Sequence, residues 1–238
     1  YITIISGRLF MEQLPNGYTL NICDGAFPLS TDSMVLAHFT KLPKQAKVLD
    51  LGAGCGTLGL LLCASDSGCH VTGIELTETA HEAATENIRQ NDLQSRMVSI
   101  CTDLRTLPTH FHGRFDVCVS NPPYFSGGPA STRHPTARRE DTCQPEELFE
   151  AAAKALRYGG DFFLVHKPER LAQLIGCGAK QGLEAKRLLL LRHKQERDIS
   201  LIFLSFRKGG KPGLIIEEES LFDRNGQPTD FYRSVYHL

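Results

Sequence analysis

Lys47-Val48-Leu49-Asp50-Leu51-Gly52-Ala53-Gly54-Cys55-Gly56 is the stretch whose reading decides the fold. A short apolar run that stops at glycines reads as a buried strand of a parallel sheet. The glycines permit a tight turn and a close approach of the backbone to a ligand. Residues 58–64 then begin a helix. A strand, a glycine turn and a helix together form the first half of a βαβ unit.

Downstream the alternation continues. Residues 70–74 form a second strand, and Thr77 opens a helix carrying Ala80, Ala83, Ala84, Asn87 and Ile88 at helical spacing. Met97–Cys101 and Phe115–Ser120 read as the third and fourth strands. Pro145 starts a helix where its missing N–H costs nothing, and Gly159-Gly160 is expected to end it after Leu156. Residues 162–165 make a fifth strand and residues 168–180 a further helix. Residues 187–191 and 199–206 have no helix between them, so they are expected to pair antiparallel, with a last apolar piece at 214–216. The whole predicts an α/β, doubly wound, mostly parallel seven-stranded sheet with an antiparallel strand at its edge.

Upstream the pattern differs. Residues 2–5, 9–14 and 18–22 read as short β elements separated by Ser6-Gly7 and Pro15-Asn16-Gly17. Ser30-Thr31-Asp32 can cap a helix carrying Met34, Val35, Leu36 and Phe39. Residues 1–40 are therefore expected to be a β/α cap on a main unit at 41–238, the two forming one domain. No 18-residue apolar run occurs, so no membrane span is expected, and no signal-peptide core is visible. Eight cysteines without a Cys-x-x-Cys pair point to reduced thiols, no metal site and a cytoplasmic setting. Net charge is −1, yet residues 151–213 hold 13 Lys/Arg against 5 Asp/Glu, and Arg133, His134, Arg138 and Arg139 cluster after Tyr124. Such a face suits a polyanion, and an ordinary solvated surface explains it equally well.

Ligands of doubly wound sheets bind beyond the carboxyl ends of the strands. Asp50, Glu75, Asp103 and Asn121 each fall at or just past the end of a different strand. The glycines Gly52, Gly54 and Gly56 follow Gly-x-Gly-x-Gly, and Thr57 stands where a dinucleotide fingerprint has its third glycine. An acidic Asp50 beside the loop suits a cation better than a phosphate. S-Adenosylmethionine meets these demands: it carries a sulfonium and an ammonium, has no phosphate, and offers a ribose diol and an adenine. Glu75, 23 residues past Gly52, is placed to accept from ribose hydroxyls, and Asp103 from the adenine amine. The loop amides would face the methionine carboxylate near a helix start. A nicotinamide dinucleotide is the alternative.

Ser120-Asn121-Pro122-Pro123-Tyr124-Phe125 carries the chemistry. Proline fixes its own φ and biases its predecessor to an extended shape. The Asn121 side-chain oxygen and the Pro122 carbonyl oxygen can then converge as two fixed acceptors, with Tyr124 as a stacking face. Two acceptors can hold both N–H bonds of a planar amine, turn its lone pair toward a methyl donor and stabilise the growing positive charge. Base stacking on Tyr124 would add about 1–3 kcal/mol.

With these residues the chain resembles class I S-adenosylmethionine-dependent methyltransferases of the Asn-Pro-Pro-Tyr, amino-methylating kind. More narrowly, it is similar to the bacterial family that methylates N6 of an adenine in the anticodon loop of valine tRNA. The likeness also includes Thr31-Asp32 with Leu36-Ala37, Ala137-Arg138-Arg139-Glu140, Lys167-Pro168-Glu169-Arg170-Leu171 and Phe206-Arg207-Lys208-Gly209-Gly210. It implies a Rossmann-like fold, a tRNA substrate, catalysis at Asn121, Pro122 and Tyr124, and substrate contacts from Pro123, Phe125, Arg133, Arg138 and Arg139. The chain departs from the family at Ser30 and Ser33, which flank Thr31-Asp32 where glycine is frequent. A protein-glutamine methyltransferase acting on release factors, a ribosomal-RNA methyltransferase and an inactive RNA-binding module are the alternatives. The sequence leaves the oligomeric state open, with a monomer as the working expectation.

Overall fold

The computed structural model describes residues 10–14, 17–22, 29–123 and 143–236. The strand expected at 2–5 and the stacking and arginine residues Tyr124, Phe125, Arg133, Arg138 and Arg139 lie outside the described residues.

Strands β1 (Phe10–Gln13) and β2 (Thr19–Ile22) pair as an antiparallel hairpin, and helix α1 (Thr31–Phe39) follows. Ser30 caps α1, its Oγ accepting from the Ser33 N–H at 3.3 Å. Next come β3 (Lys47–Leu51), α2 (Thr57–Ser65), β4 (His70–Glu75), α3 (Glu78–Gln90), β5 (Met97–Cys101) and β6 (Phe115–Ser120). The chain continues through α4 (Pro145–Ala155), β7 (Leu156–His166), α5 (Leu171–Lys180), β8 (Leu183–Lys194), β9 (Ile199–Lys208), β10 (Ile215–Phe222) and α6 (Asp230–Tyr236).

Strands β3 to β10 form one sheet in the order β10-β8-β9-β7-β6-β3-β4-β5. Only β9 runs against its neighbours, pairing antiparallel with both β7 and β8. The sheet is therefore mostly parallel, as expected, with two corrections. Among the described residues it has eight strands rather than seven, and the antiparallel strand lies inside the sheet, because β10 adds a parallel strand outside β8. Glu217-Glu218-Glu219 reads as the end of a strand in sequence. In the fold, β10 runs on through it because Glu217 pairs with Arg187 and Glu218 with Arg192, each at 2.8 Å across to β8.

A third correction concerns the helix predicted to run past Leu156. Helix α4 ends at Ala155, and Leu156 already pairs with Phe115 of β6. The register then shifts, so that Val117 pairs with Asp161. The surplus residues of β7 bulge at Gly159, whose φ is +76°, and Gly160 passes close to the β6 backbone. The two glycines serve a bulge rather than a helix stop.

Alternation along the strands sorts the core into two layers. Val48, Val71, Val117, Val119 and Phe163 face α1, α2, α3 and α6. Leu49, Leu51, Ile74, Cys118 and Phe162 face α4 and α5. In that second layer Phe149 meets Phe162 and Phe206 edge-on at 5.3 and 5.0 Å, each pair adding about 0.5–1.5 kcal/mol beyond burial. Cys63, Cys69, Cys118 and Cys177 are buried free thiols, whereas Cys101 is exposed. Among the described residues no helix is long and apolar enough to cross a membrane.

Candidate active site

Strand β3 is where the winding reverses. Its neighbours are β4, reached through α2, and β6, reached only after the chain has passed through β5. Such a reversal opens a crevice at the carboxyl end of the sheet. The four predicted groups line it in spatial order: Asn121 after β6, Asp50 in β3, Glu75 at the end of β4 and Asp103 two residues past β5.

The glycine turn between β3 and α2 takes positive φ at Gly52 (+77°), Gly54 (+56°) and Gly56 (+84°), a region costly for residues with a Cβ. Its amides are mostly used within the fold. Gly52 and Ala53 both donate to Ile74 O at 2.9 Å, Gly56 donates to Ala53 O at 2.9 Å, and Gly54 donates to Glu75 Oε2 at 2.8 Å. The sequence reading assigned these amides to a ligand carboxylate. The start of α2 is better suited to that task, since its Gly56 cap supplies no side-chain hydrogen bond.

Asp50 is only 1% exposed, and among the described residues its Oδ2 has no hydrogen-bond partner. Burial, then the nearby charge of Glu75, pushes its carboxyl up to about 7, opposed by the Gly59 N–H. A buried acceptor without a donor is costly, and here it lies beneath a glycine turn that faces the crevice. An ammonium group would supply the missing donor and favour the ionised form.

Glu75 Oε1 accepts from the Thr77 N–H at 2.9 Å and the Thr77 hydroxyl at 2.8 Å. Thr77 stands at the N-cap of α3 as expected, but its hydroxyl serves Glu75 rather than the helix. The carboxylate is thus held rigidly, with Oε1 accepting twice, while Oε2, which accepts once from Gly54, keeps a further lone pair for a hydroxyl. Asp103 caps a single 3-10 turn and is gripped by Arg105, whose Nε lies 2.8 Å from Oδ2. That hydrogen bond holds the Asp103 carboxyl below its usual range, against partial burial. Asp103 is therefore one half of an ion pair, a partner that the sequence reading left out.

Asn121 follows β6 directly, and its Nδ2 donates to Ser33 Oγ at 3.0 Å. Pro122 is buried and Pro123 exposed. On β7, His166 lies two residues beyond the Ser120–Leu164 pair. Its Nδ1 accepts from the Lys167 N–H at 2.8 Å, and burial pushes its pKa down to about 4. The imidazole is uncharged at neutral pH and adds no cation to the crevice.

Two residues that the sequence reading gave no site role stand behind these groups. Asn87 of α3, fully buried, uses all four of its hydrogen-bonding positions. It accepts from the Asn21 N–H and Nδ2, and it donates to Asn21 O and Cys55 O at 2.9 Å. It thereby ties the N-terminal hairpin to the glycine turn. Ser33, the second, reaches Asn121 from α1. An asparagine on the apolar stripe of α3 was the visible signal for the first. For the second, only the departure from glycine was visible.

The chemistry of these groups suits S-adenosylmethionine: Asp50 would accept from its ammonium, the start of α2 would face its carboxylate, Glu75 would accept from its ribose, and Asp103 with Arg105 would meet its adenine edge. Two open cavities, of about 610 and 440 Å³, lie elsewhere, by α1, α2 and α6 and by β8 and β10. They contain none of these residues, and the crevice is assigned from its chemistry.

Comparison with known proteins points the same way. The family model described as methyltransferase small domain matches residues 29–175. A tRNA1(Val) (adenine(37)-N6)-methyltransferase from Bacteroides fragilis is 31% identical over 185 residues, covering 76% of this chain and 77% of that protein. The enzyme of the same name from Actinobacillus pleuropneumoniae is 27% identical over 215 residues, covering 88% and 89%. Among solved structures, a predicted O-methyltransferase from Agrobacterium tumefaciens superposes with a TM-score of 0.73 at 18% identity, over 87% of this chain and 96% of that one. The chain belongs to the methyltransferase small domain family and is an S-adenosyl-L-methionine-dependent methyltransferase.

Proposed function

We propose that this enzyme methylates the exocyclic N6 amine of an adenine in the anticodon loop of a tRNA. The observation that carries the reading is the setting of Asn121. Its Nδ2 donates to Ser33 Oγ, and among the described residues its Oδ1 accepts no hydrogen bond and is left for a substrate N–H. Oδ1 and the Pro122 carbonyl are the two acceptors for the N–H bonds of a planar amine. The cofactor supplies an electrophilic methyl on a sulfonium. Around it the protein contributes acceptors and carboxylates, which suit the positive charge that develops on the attacking nitrogen. The names of the relatives support tRNA adenine as the target.

Tyr124 and Phe125 are proposed to stack on the target base, and Arg133, Arg138 and Arg139 to hold phosphates. Replacing Arg138 and Arg139 should then weaken RNA binding and flatten its salt dependence.

The test uses radiolabelled S-adenosylmethionine with total tRNA, and separately with a release factor, followed by digestion of the product. Label in N6-methyladenosine supports the reading. Label in release-factor glutamine, or in neither substrate, overturns it.

A further inference from the structure

The motif Phe206-Arg207-Lys208-Gly209-Gly210 has no part in the crevice. It closes β9, which runs against its neighbours, so it lies at the opposite edge of the sheet, where β7 and β8 begin beside the starts of β3 and β6. A strand rises about 3.3 Å per residue, which puts that edge about 15 Å from the crevice along β3. Lys208 Nζ donates to Ala153 O at 2.6 Å and to Leu156 O at 2.8 Å, fixing the passage from α4 into β7. That passage leads to Tyr158, whose hydroxyl donates to Gly209 O at 3.2 Å. Gly209 has φ +68°, and a Cβ there would overlap the Tyr158 ring. The ring is thus pinned against a glycine, yet Tyr158 is 77% exposed.

Positive charge surrounds this ring. Asp116, near the start of β6, accepts from the Lys47 N–H at 2.9 Å and from Arg157 Nε at 2.6 Å, and Arg207 pairs with Asp161 at 2.8 Å. The Arg114 N–H donates to Ala155 O at 3.0 Å, and Lys186 Nζ donates to Lys211 O at 2.8 Å. Lys47, Arg114, Arg157, Lys186, Arg207 and Lys211 thus stand with Asp116, Asp161 and Glu184, six cations to three carboxylates. The crevice edge carries Asp50, Glu75 and Asp103 instead. A pinned, open aromatic ring among cations suits an RNA strand, with a base on the ring and phosphates on the cations. Arg114 and Lys211 make no ion pair among the described residues and keep their charge for such a partner. We infer that this edge is a second RNA-binding surface, where Tyr158 stacks an unpaired base and Arg114 and Lys211 hold phosphates. The inference rests on the proposed tRNA substrate and extends its contact beyond the crevice.

Filter binding of end-labelled total tRNA tests this without methyl transfer. Tyr158→Ala should weaken binding roughly 5- to 100-fold, the effect of one lost base stack. Tyr158→Phe keeps the ring and should stay within about threefold of wild type. Replacing Arg114 and Lys211 together with alanine should flatten the slope of log affinity against log salt by about 1.4–1.8, the share of two phosphates. Calorimetry with S-adenosylmethionine should give the wild-type affinity for each variant, which separates a lost contact from a lost fold. Wild-type tRNA binding by Tyr158→Ala, a Tyr158→Phe as weak as Tyr158→Ala, or an unchanged salt slope would each overturn the inference. Should Tyr158→Ala not fold, the salt slope decides. Methylation of tRNA with binding indifferent to Tyr158 removes this surface and leaves the proposed function standing, whereas tRNA bound through Tyr158 but never methylated does the reverse.

Discussion

The Gly54 N–H donates to Glu75 Oε2 at 2.8 Å, so the crest of the glycine turn is pinned by the carboxylate at the end of the neighbouring strand. Glu75 thus shapes the turn, and the remaining lone pair of Oε2 is proposed to accept from a ribose hydroxyl. Glu75→Ala should weaken S-adenosylmethionine binding by about 10- to 100-fold, the loss expected for hydrogen bonds to a charged group. Titration calorimetry checks this, and equal affinity would remove Glu75 from the cofactor site.

Asn121→Ala deletes one preorganised acceptor. The expected result is a fall in kcat of roughly 10²–10³ with cofactor affinity retained. Single-turnover methylation separates the two effects, and unimpaired turnover would take Asn121 out of the mechanism.

The Asn87 side chain carries four hydrogen bonds in a fully buried position. Asn87→Ala strands the Asn21 groups and Cys55 O, which should cost about 2–4 kcal/mol in urea unfolding. Asn91, which pairs with Thr19 one turn later, is only partly buried, so Asn91→Ala should cost less. A larger loss at Asn91 would contradict this ranking.

Asp50 links stability to pH. Unfolded, its carboxyl ionises near 4, whereas the folded ligand-free protein keeps the proton up to about 7. Between these values the folded state binds more protons, so this group's contribution lowers stability as pH rises through the window and levels off above it. Asp50→Asn should remove that slope in denaturant titrations of ligand-free protein at pH 5 and pH 8. An unchanged difference between the two would contradict the assignment.

A Cβ on Gly160 would lie 2.9 Å from Asp116 O and 3.0 Å from Arg157 O. Both are backbone atoms and give little. Gly160→Ala should therefore destabilise by about 1–3 kcal/mol, despite the lower entropy of its unfolded chain. Thermal unfolding that is unchanged would refute the close-approach account of the bulge.

The errors in the sequence reading share a physical origin. Gly159-Gly160 has the signature of a helix end, and only pairing with β6 shows that both residues belong to a bulged strand. Three consecutive glutamates argue against a strand until Arg187 and Arg192 on β8 stand opposite them. Helix α6 escaped the reading. It is short, and Thr229, whose Oγ1 accepts from the Tyr232 N–H at 3.1 Å, was the visible cue. Each miss depends on what the neighbouring chain supplies, which local pattern cannot reveal.

Local chemistry alone determined the strand–glycine–helix alternation, the parallel sheet and the four polar groups at successive strand ends. Apolar runs, glycines and prolines constrain the backbone wherever they stand in a chain. The tertiary structure decided the burial of Asp50 Oδ2 without a donor, the clasp of Arg105 on Asp103, the tether from Asn87 to the glycine turn and the contact of Asn121 with Ser33. Those depend on partners 32 residues away for Asn87 and Cys55 and 88 away for Ser33 and Asn121. A hydrogen bond acts over about 3 Å, so no pattern along the chain reports which distant residues the fold brings within that distance.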